Sequence, residues 1–149
     1  MFRGANEVTI DAKGRMAMPA RYREEFMALG CGSEIVVTVD IKKDNYLVLY
    51  PKPMWEKYEA QLLDMPYDEG ILWVRRRVLG NAMETTMDGQ GRILISPLLR
   101  KEASLGKKAR LIGQGKRFEL WDEATWVERN ENFELSAEVM AKLADQLKI

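Results

Sequence analysis

Two stretches of the chain carry the same polar side chains at the same spacing: "DAKGRMAMPARYREEF" at 11–26 and "DGQGRILISPLLRKEA" at 88–103. In each, an aspartate stands four residues before an arginine, and a glycine directly precedes the arginine: Asp11, Gly14 and Arg15, then Asp88, Gly91 and Arg92. An ionised aspartate offers only acceptors, so at the head of a turn it collects backbone N–H donors, and the arginine returns an ion pair across it. A guanidinium also presents donors in a planar fork that fits guanine O6 and N7, whereas an ammonium such as that of Lys13 suits neutralisation of phosphate. The chemistry on offer is recognition, either of the turn by itself or of a nucleic acid by the turn. The spacing alone leaves both open.

Catalysis lacks its usual residues. The sequence has no histidine, the commonest general base and metal ligand, and a single cysteine, Cys31, that excludes an internal disulfide framework and fits a reducing compartment. No glycine-rich phosphate loop follows a strand, and no carboxylate cluster has metal-ligand spacing. These absences argue against an enzyme, and the sequence implies no cofactor, metal or small-molecule substrate.

The 149 residues, 46% of them hydrophobic, fit one ordinary domain or two very small ones with a real core. The 23 basic residues balance 23 acidic ones, so only the distribution of charge can favour a nucleic acid. From Met1 to Arg23 there are five bases (Arg3, Lys13, Arg15, Arg21, Arg23) against Glu7 and Asp11, while 122–138 holds six acids against Arg129 alone. Fields act locally over a Debye length of roughly 8–10 Å, so a neutral chain with segregated charge can still present a basic face. No apolar run approaches the ~20 residues of a bilayer span and no signal-peptide core opens the chain, which places the protein in the cytosol with no membrane partner.

The elements that position the repeated residues follow from a duplication. An offset of 77 pairs Asp11 with Asp88, Gly14 with Gly91, Arg15 with Arg92, Arg23 with Arg100 and Glu7 with Glu84. Short β-prone runs, "EVTI" and "RMAMP", then "ETTM" and "RILIS", flank the glycine-containing turns and predict two hairpins. Gly14 and Gly91 permit the positive φ of such turns. Pro19 and Pro97 stop the second strands and lead into short helices over "ARYREEFMAL" and "LLRKEASL". Each half then shows two strand-like runs, "EIVVTVD" and "YLVLYP" or "ARLIGQ" and "RFELWD", and ends near Trp55 or Trp126. The expected organisation is a first half at 1–67, a connecting helix at 68–82 capped by Asp68, a second half at 83–133, and a C-terminal helix at 134–149. Ser136 caps that last helix, and its stripe of Val139, Met140, Leu143 and Leu147 is expected to pack on its own protomer or on a neighbour.

"MFRGANEVTIDAKGRMAMPARYR", "RRRVLGNAMETTMDGQGRILIS" and the paired D-x-x-x-R motifs resemble the MraZ proteins from Met1 to about Trp126. These are bacterial transcriptional regulators related to the AbrB-like swapped-hairpin barrels. The resemblance implies a mixed α/β, mainly β, pseudo-twofold swapped-hairpin barrel of two AbrB-like halves with short helices. It also implies closed homo-oligomeric rings, nucleoid association, and repression through tandem short repeats in double-stranded DNA at the promoter of the division and cell-wall gene cluster. By it, Lys13, Arg15 and Arg92 contact DNA, while Asp11, Gly14, Asp88 and Gly91 order the turns. The second copy has Gln90 in place of Lys13, so the first turn is the main contact. Arg3, Arg21 and Arg23 are secondary phosphate-contact candidates. Arg75, Arg76 and Arg77 point three ways on a helix and read chiefly as packing and ion-pairing residues. A rival reading, a ring scaffold acting through protein partners without DNA contact, draws on the zero net charge.

Overall fold

The first strand of each half pairs with the other half rather than with its own neighbour. In the computed structural model, which describes residues 1–148, β1 (Phe2–Thr9) runs antiparallel along all of β7 (Lys108–Gly115), from Phe2 opposite Gly115 to Thr9 opposite Lys108. Its counterpart β5 (Met83–Thr86) pairs in the same sense with β3 (Glu34–Val39). The hairpins β3–β4 (Tyr46–Pro51) and β7–β8 (Phe118–Asp122) meet through β4 and β8, giving a six-stranded sheet of order β1-β7-β8-β4-β3-β5. Exchanging the halves leaves that order unchanged. Two short strands, β2 (Arg15–Ala17) and β6 (Arg92–Leu94), pair with each other in a separate ribbon.

This corrects two expectations. Each D-x-x-x-R turn was expected to join a simple hairpin, yet β1 and β2 share only an Ile10–Met16 bridge and the bonds of the turn itself. An eight-residue strand gains far more ladder from an eight-residue partner than from β2, which Pro19 ends after three residues. Nor do the described residues close a barrel: β1 and β5 remain the edges of the sheet, and the ribbon lies apart from it. The fold is mixed α/β, a large antiparallel sheet with six helices among the described residues.

Apolar patterning explains the layers. "IVVTV" and "LVLYP" are buried residue after residue because β3 and β4 are covered on both faces. One face carries the main core, where Phe2, Tyr22, Phe26 and Phe118 pack edge-on and tilted around Met16, Ile93 and Leu99, beneath α1 (Ala20–Ala28), α4 (Pro97–Glu102) and the ribbon. On the other face Val36, Val48, Tyr50 and Trp121 of the sheet pack with Trp55 of α2 (Lys52–Leu63) and Val78 of α3 (Glu69–Gly80), and Trp126 of α5 (Glu123–Asn132) packs against this cluster. Asp68 caps α3 by accepting from the N–H groups of Gly70 and Ile71, and Arg75 donates to the carbonyls of Leu62, Leu63 and Met65, closing the end of α2.

The last helix departs from the pattern. Ser136 caps α6 (Ala137–Leu147) through Val139 N–H as expected, but Val139, Met140, Leu143 and Leu147 are all exposed, so the stripe does not pack on its own protomer. Among the described residues no helix is long and apolar enough to cross a membrane.

Candidate nucleic-acid interface

The two turns are copies down to their bonds. Asp11 Oδ1 accepts from the backbone N–H groups of Lys13 and Arg15, and Oδ2 accepts from Arg15 Nε, all at 2.9 Å. Asp88 does the same for Gln90 N–H, Arg92 N–H and Arg92 Nε, again at 2.9 Å. Asp11 N–H donates to Arg15 carbonyl and Gly14 N–H to Asp11 carbonyl, with the equivalent pair at Asp88 and Gly91. The backbone N–H bonds, foremost that from Arg15 or Arg92, hold both carboxyls below the ordinary aspartate range, so each keeps its charge further into acid than a free aspartate.

What the aspartates leave free matters as much as what they bind. Each occupies only the Nε edge of its arginine, and among the described residues the Nη amino groups of Arg15 and Arg92 take no hydrogen-bond acceptor. Both guanidinium groups are therefore oriented yet keep donors for a partner. β2 and β6 bring them onto one surface: Met16 and Ile93 point into the core, while Arg15, Ala17, Arg92 and Leu94 alternate outward. Lys13 stands exposed on the turn before Arg15. The basic groups thus flank a shared ribbon, where the sequence suggested two separate hairpin tips.

The glycines are set by the opposite half. Gly14 (φ 85°) gives its carbonyl to Ile95 N–H, and a Cβ there would lie 2.6 Å from Ile95 O and 3.0 Å from Arg100 Nε. Gly91 (φ 75°) gives its carbonyl to Met18 N–H and lies directly under the Arg23 side chain, whose Nη1 donates to Gln90 O at 3.3 Å. Arg23, in the first half, is thus bonded to the second turn, whereas Arg100, in the second half, lies against Gly14 but donates from Nε to Ile95 O of its own half at 3.1 Å. Gly14→Ala is expected to lower stability by about 1–2 kcal/mol through the left-handed backbone alone, measured as a fall in urea midpoint. Gly89→Ala, where an added Cβ meets nothing within 4 Å and φ is not positive, is the matched control and should change little.

The other candidate bases sit elsewhere. Arg21 Nη2 is engaged on β1, donating to Asn6 Oδ1 at 2.6 Å and Arg3 O at 3.2 Å, beside the Tyr22 hydroxyl, which also binds Arg3 O. Arg3 and Arg21 therefore lie together at the far end of β1 from the Asp11 turn. Arg100 went unremarked in the sequence as part of the site, although its match to Arg23 at the repeat offset was the available signal.

A second polar cluster had no such signal. Arg117, between β7 and β8, grips buried Asp40 with both amino groups, Nη1 to Oδ1 at 3.1 Å and Nη2 to Oδ2 at 3.0 Å. Tyr46 also donates to Asp40, and Arg117 reaches Tyr50 Oη at 3.0 Å. The cluster ties one hairpin to the other where β4 meets β8.

An oriented pair of guanidinium forks on a shared two-stranded ribbon has the chemistry to donate hydrogen bonds to a polar partner. A family model described as "MraZ protein, putative antitoxin-like" matches residues 1–70 and 78–148. A "Transcriptional regulator MraZ" of Thioalkalivibrio sulfidiphilus is 46% identical over 134 residues, covering 89% of this chain and 87% of that protein. Proteins of the same name from Azotobacter vinelandii (49% over 128 residues) and Pseudomonas aeruginosa (47% over 127 residues) each match 85% of this chain and 83% of their own length. The chain belongs to the MraZ family, which sets it among transcriptional regulators and not among enzymes.

Proposed function

We propose that the chain is a sequence-specific DNA-binding regulator, a repressor at the promoter of the division and cell-wall gene cluster, working in the cytoplasm at the nucleoid. The observation that carries this reading is the pair of aspartate-held arginines on the β2–β6 ribbon, each with free Nη donors. A two-stranded ribbon fits a DNA major groove, and an oriented arginine is its commonest specific reader, at guanine. Arg15 and Arg92 read bases, Lys13 neutralises phosphate, and Asp11, Gly14, Asp88 and Gly91 hold the turns. Arg3 and Arg21 are further phosphate contacts only if the DNA extends along β1. The halves at 1–67 and 83–133, joined by 68–82, act as one duplicated unit, a swapped-hairpin arrangement in which each half lends a strand to the other.

Copies of the chain assemble as a closed ring on tandem repeats. The bare stripe of α6 supports self-association, because an 11-residue amphipathic helix is marginal in water without a partner for its apolar side. A ring holds neighbouring ribbons at high effective concentration over successive repeats, so weak single contacts combine into tight binding.

The test is fluorescence anisotropy on the duplex upstream of the gene's own start and on a scrambled duplex, over a salt series, with Lys13→Glu alongside. The expected result is selective binding that weakens with salt, and a variant of unchanged oligomeric state whose log–log salt slope is smaller by about 1 for each ribbon engaged on the duplex. Equal weak binding to both duplexes would instead favour a ring scaffold with protein partners, the reading that the exposed α6 stripe and zero net charge also permit.

A further inference from the structure

The outward face of the ribbon is less symmetric than its arginines. Arg15 and Arg92 make the same bonds to the same aspartate atoms, yet the residue directly across from Arg15 is Leu94 and the one across from Arg92 is Ala17. Leu94 is 49% exposed, and its backbone N–H is held by Thr85 Oγ1 at 3.2 Å, so a large apolar side chain stands outward from an anchored strand. The turn before Arg15 offers Lys13 where the turn before Arg92 offers Gln90. Across the ribbon and in its own turn, one arginine meets a leucine and a lysine, the other an alanine and a glutamine.

We infer that Leu94 is a specificity-determining contact for the C5-methyl of a thymine next to the guanine engaged by Arg15, so that each copy reads its DNA element in one direction. This rests on the DNA-binding reading above. In the major groove that methyl is what marks thymine, and apolar side chains recognise it. Residues opposed across two strands have Cβ atoms about 4.5–5.5 Å apart, of the order of the spacing of about 3.4 Å between successive nucleotides on a strand, so a ribbon lying in the groove has Arg15 and Leu94 within reach of adjacent base pairs. A ribbon with leucine at both outward positions would favour a palindrome. Ala17 removes one of the two methyl contacts, and Gln90 removes one of the two cations.

The experiment selects binding sites from a random duplex pool with the full chain, then replaces each selected thymine by deoxyuridine, which lacks the methyl. At one thymine beside a guanine, the replacement should weaken the unaltered protein about fourfold, the factor equivalent to about 0.8 kcal/mol for one buried methyl-sized group. Leu94→Ala should bind both duplexes equally. Ala17→Leu adds side chain at an exposed position without touching the core, and it should make a second, twofold-related thymine methyl-sensitive. A preferred sequence with no methyl-sensitive thymine, or equal sensitivity in Leu94→Ala, overturns the inference and leaves the DNA-binding reading standing. A pool that yields no preferred sequence overturns both.

Discussion

Arg15→Ala is expected to weaken binding to a selected duplex by about 1–3 kcal/mol for each guanine its guanidinium engages, a loss of roughly five- to 150-fold per contact. The size of the effect comes from preorganisation. Asp11 already holds Nε at 2.9 Å, so the free protein presents the fork without ordering it at the moment of binding. The fold should scarcely notice the change: an exposed ion pair contributes about 0.2–1 kcal/mol, and at this chain length the thermal midpoint should move by no more than about 4 °C. Arg15→Lys separates charge from geometry. It keeps the cation but loses the fork and the Nε bond, so its salt slope should match the unaltered protein while its preference between selected and scrambled duplexes falls. Titrations of both variants against both duplexes, with thermal melts, decide the matter. If Arg15→Ala binds normally but melts much lower, the motif is a turn lock and nothing more.

Asp40→Ala costs about 3–5 kcal/mol of folding stability, the range for breaking a buried pair by removing one partner. The loss strands Arg117, which keeps only Tyr50 Oη and the more distant Glu119 carboxylate, 3.6 Å from Nη2. Burial alone would raise the Asp40 carboxyl, but the hydrogen bonds from Arg117 and Tyr46 outweigh it and hold the group below its ordinary 3.8. A carboxylate depressed on folding adds stability that is present above its unfolded pKa and lost as pH falls through its folded one. The difference in urea midpoint between the unaltered chain and the milder Asp40→Asn should therefore be largest near neutrality and shrink below about pH 4. A gap that persists unchanged into acid would mean that shape, and not charge, is what Asp40 supplies.

How far the chain could be read in advance depends on the range of each interaction. The turns were legible because their chemistry is local: Asp11 meets Lys13 and Arg15 within four residues, and the second turn repeats it. The buried runs of β3 and β4 and the caps at Asp68 and Ser136 were legible for the same reason. Strand partners were not. Whether β1 turns back onto β2 or reaches to β7 depends on the ladder lengths available across the whole fold, and no short-range pattern records them. The second half is also shorter than the first, since Glu34 and Lys108 occupy equivalent places opposite Thr86 and Thr9, three residues off the offset that relates the turns. Asp40 and Arg117 meet only because β4 pairs with β8, so nothing in their surroundings announced either.

The strand exchange also sets a timetable for synthesis. While the chain is being made, β3 and β4 can close on each other as soon as both exist, but Phe2 has to wait for Gly115. At about 5–20 residues per second, the N-terminal strand stays without its partner for roughly 5–20 seconds. During that interval its unpaired edge is open to a neighbouring nascent chain on the same messenger, so the order of synthesis decides how long the strand must stay unmatched.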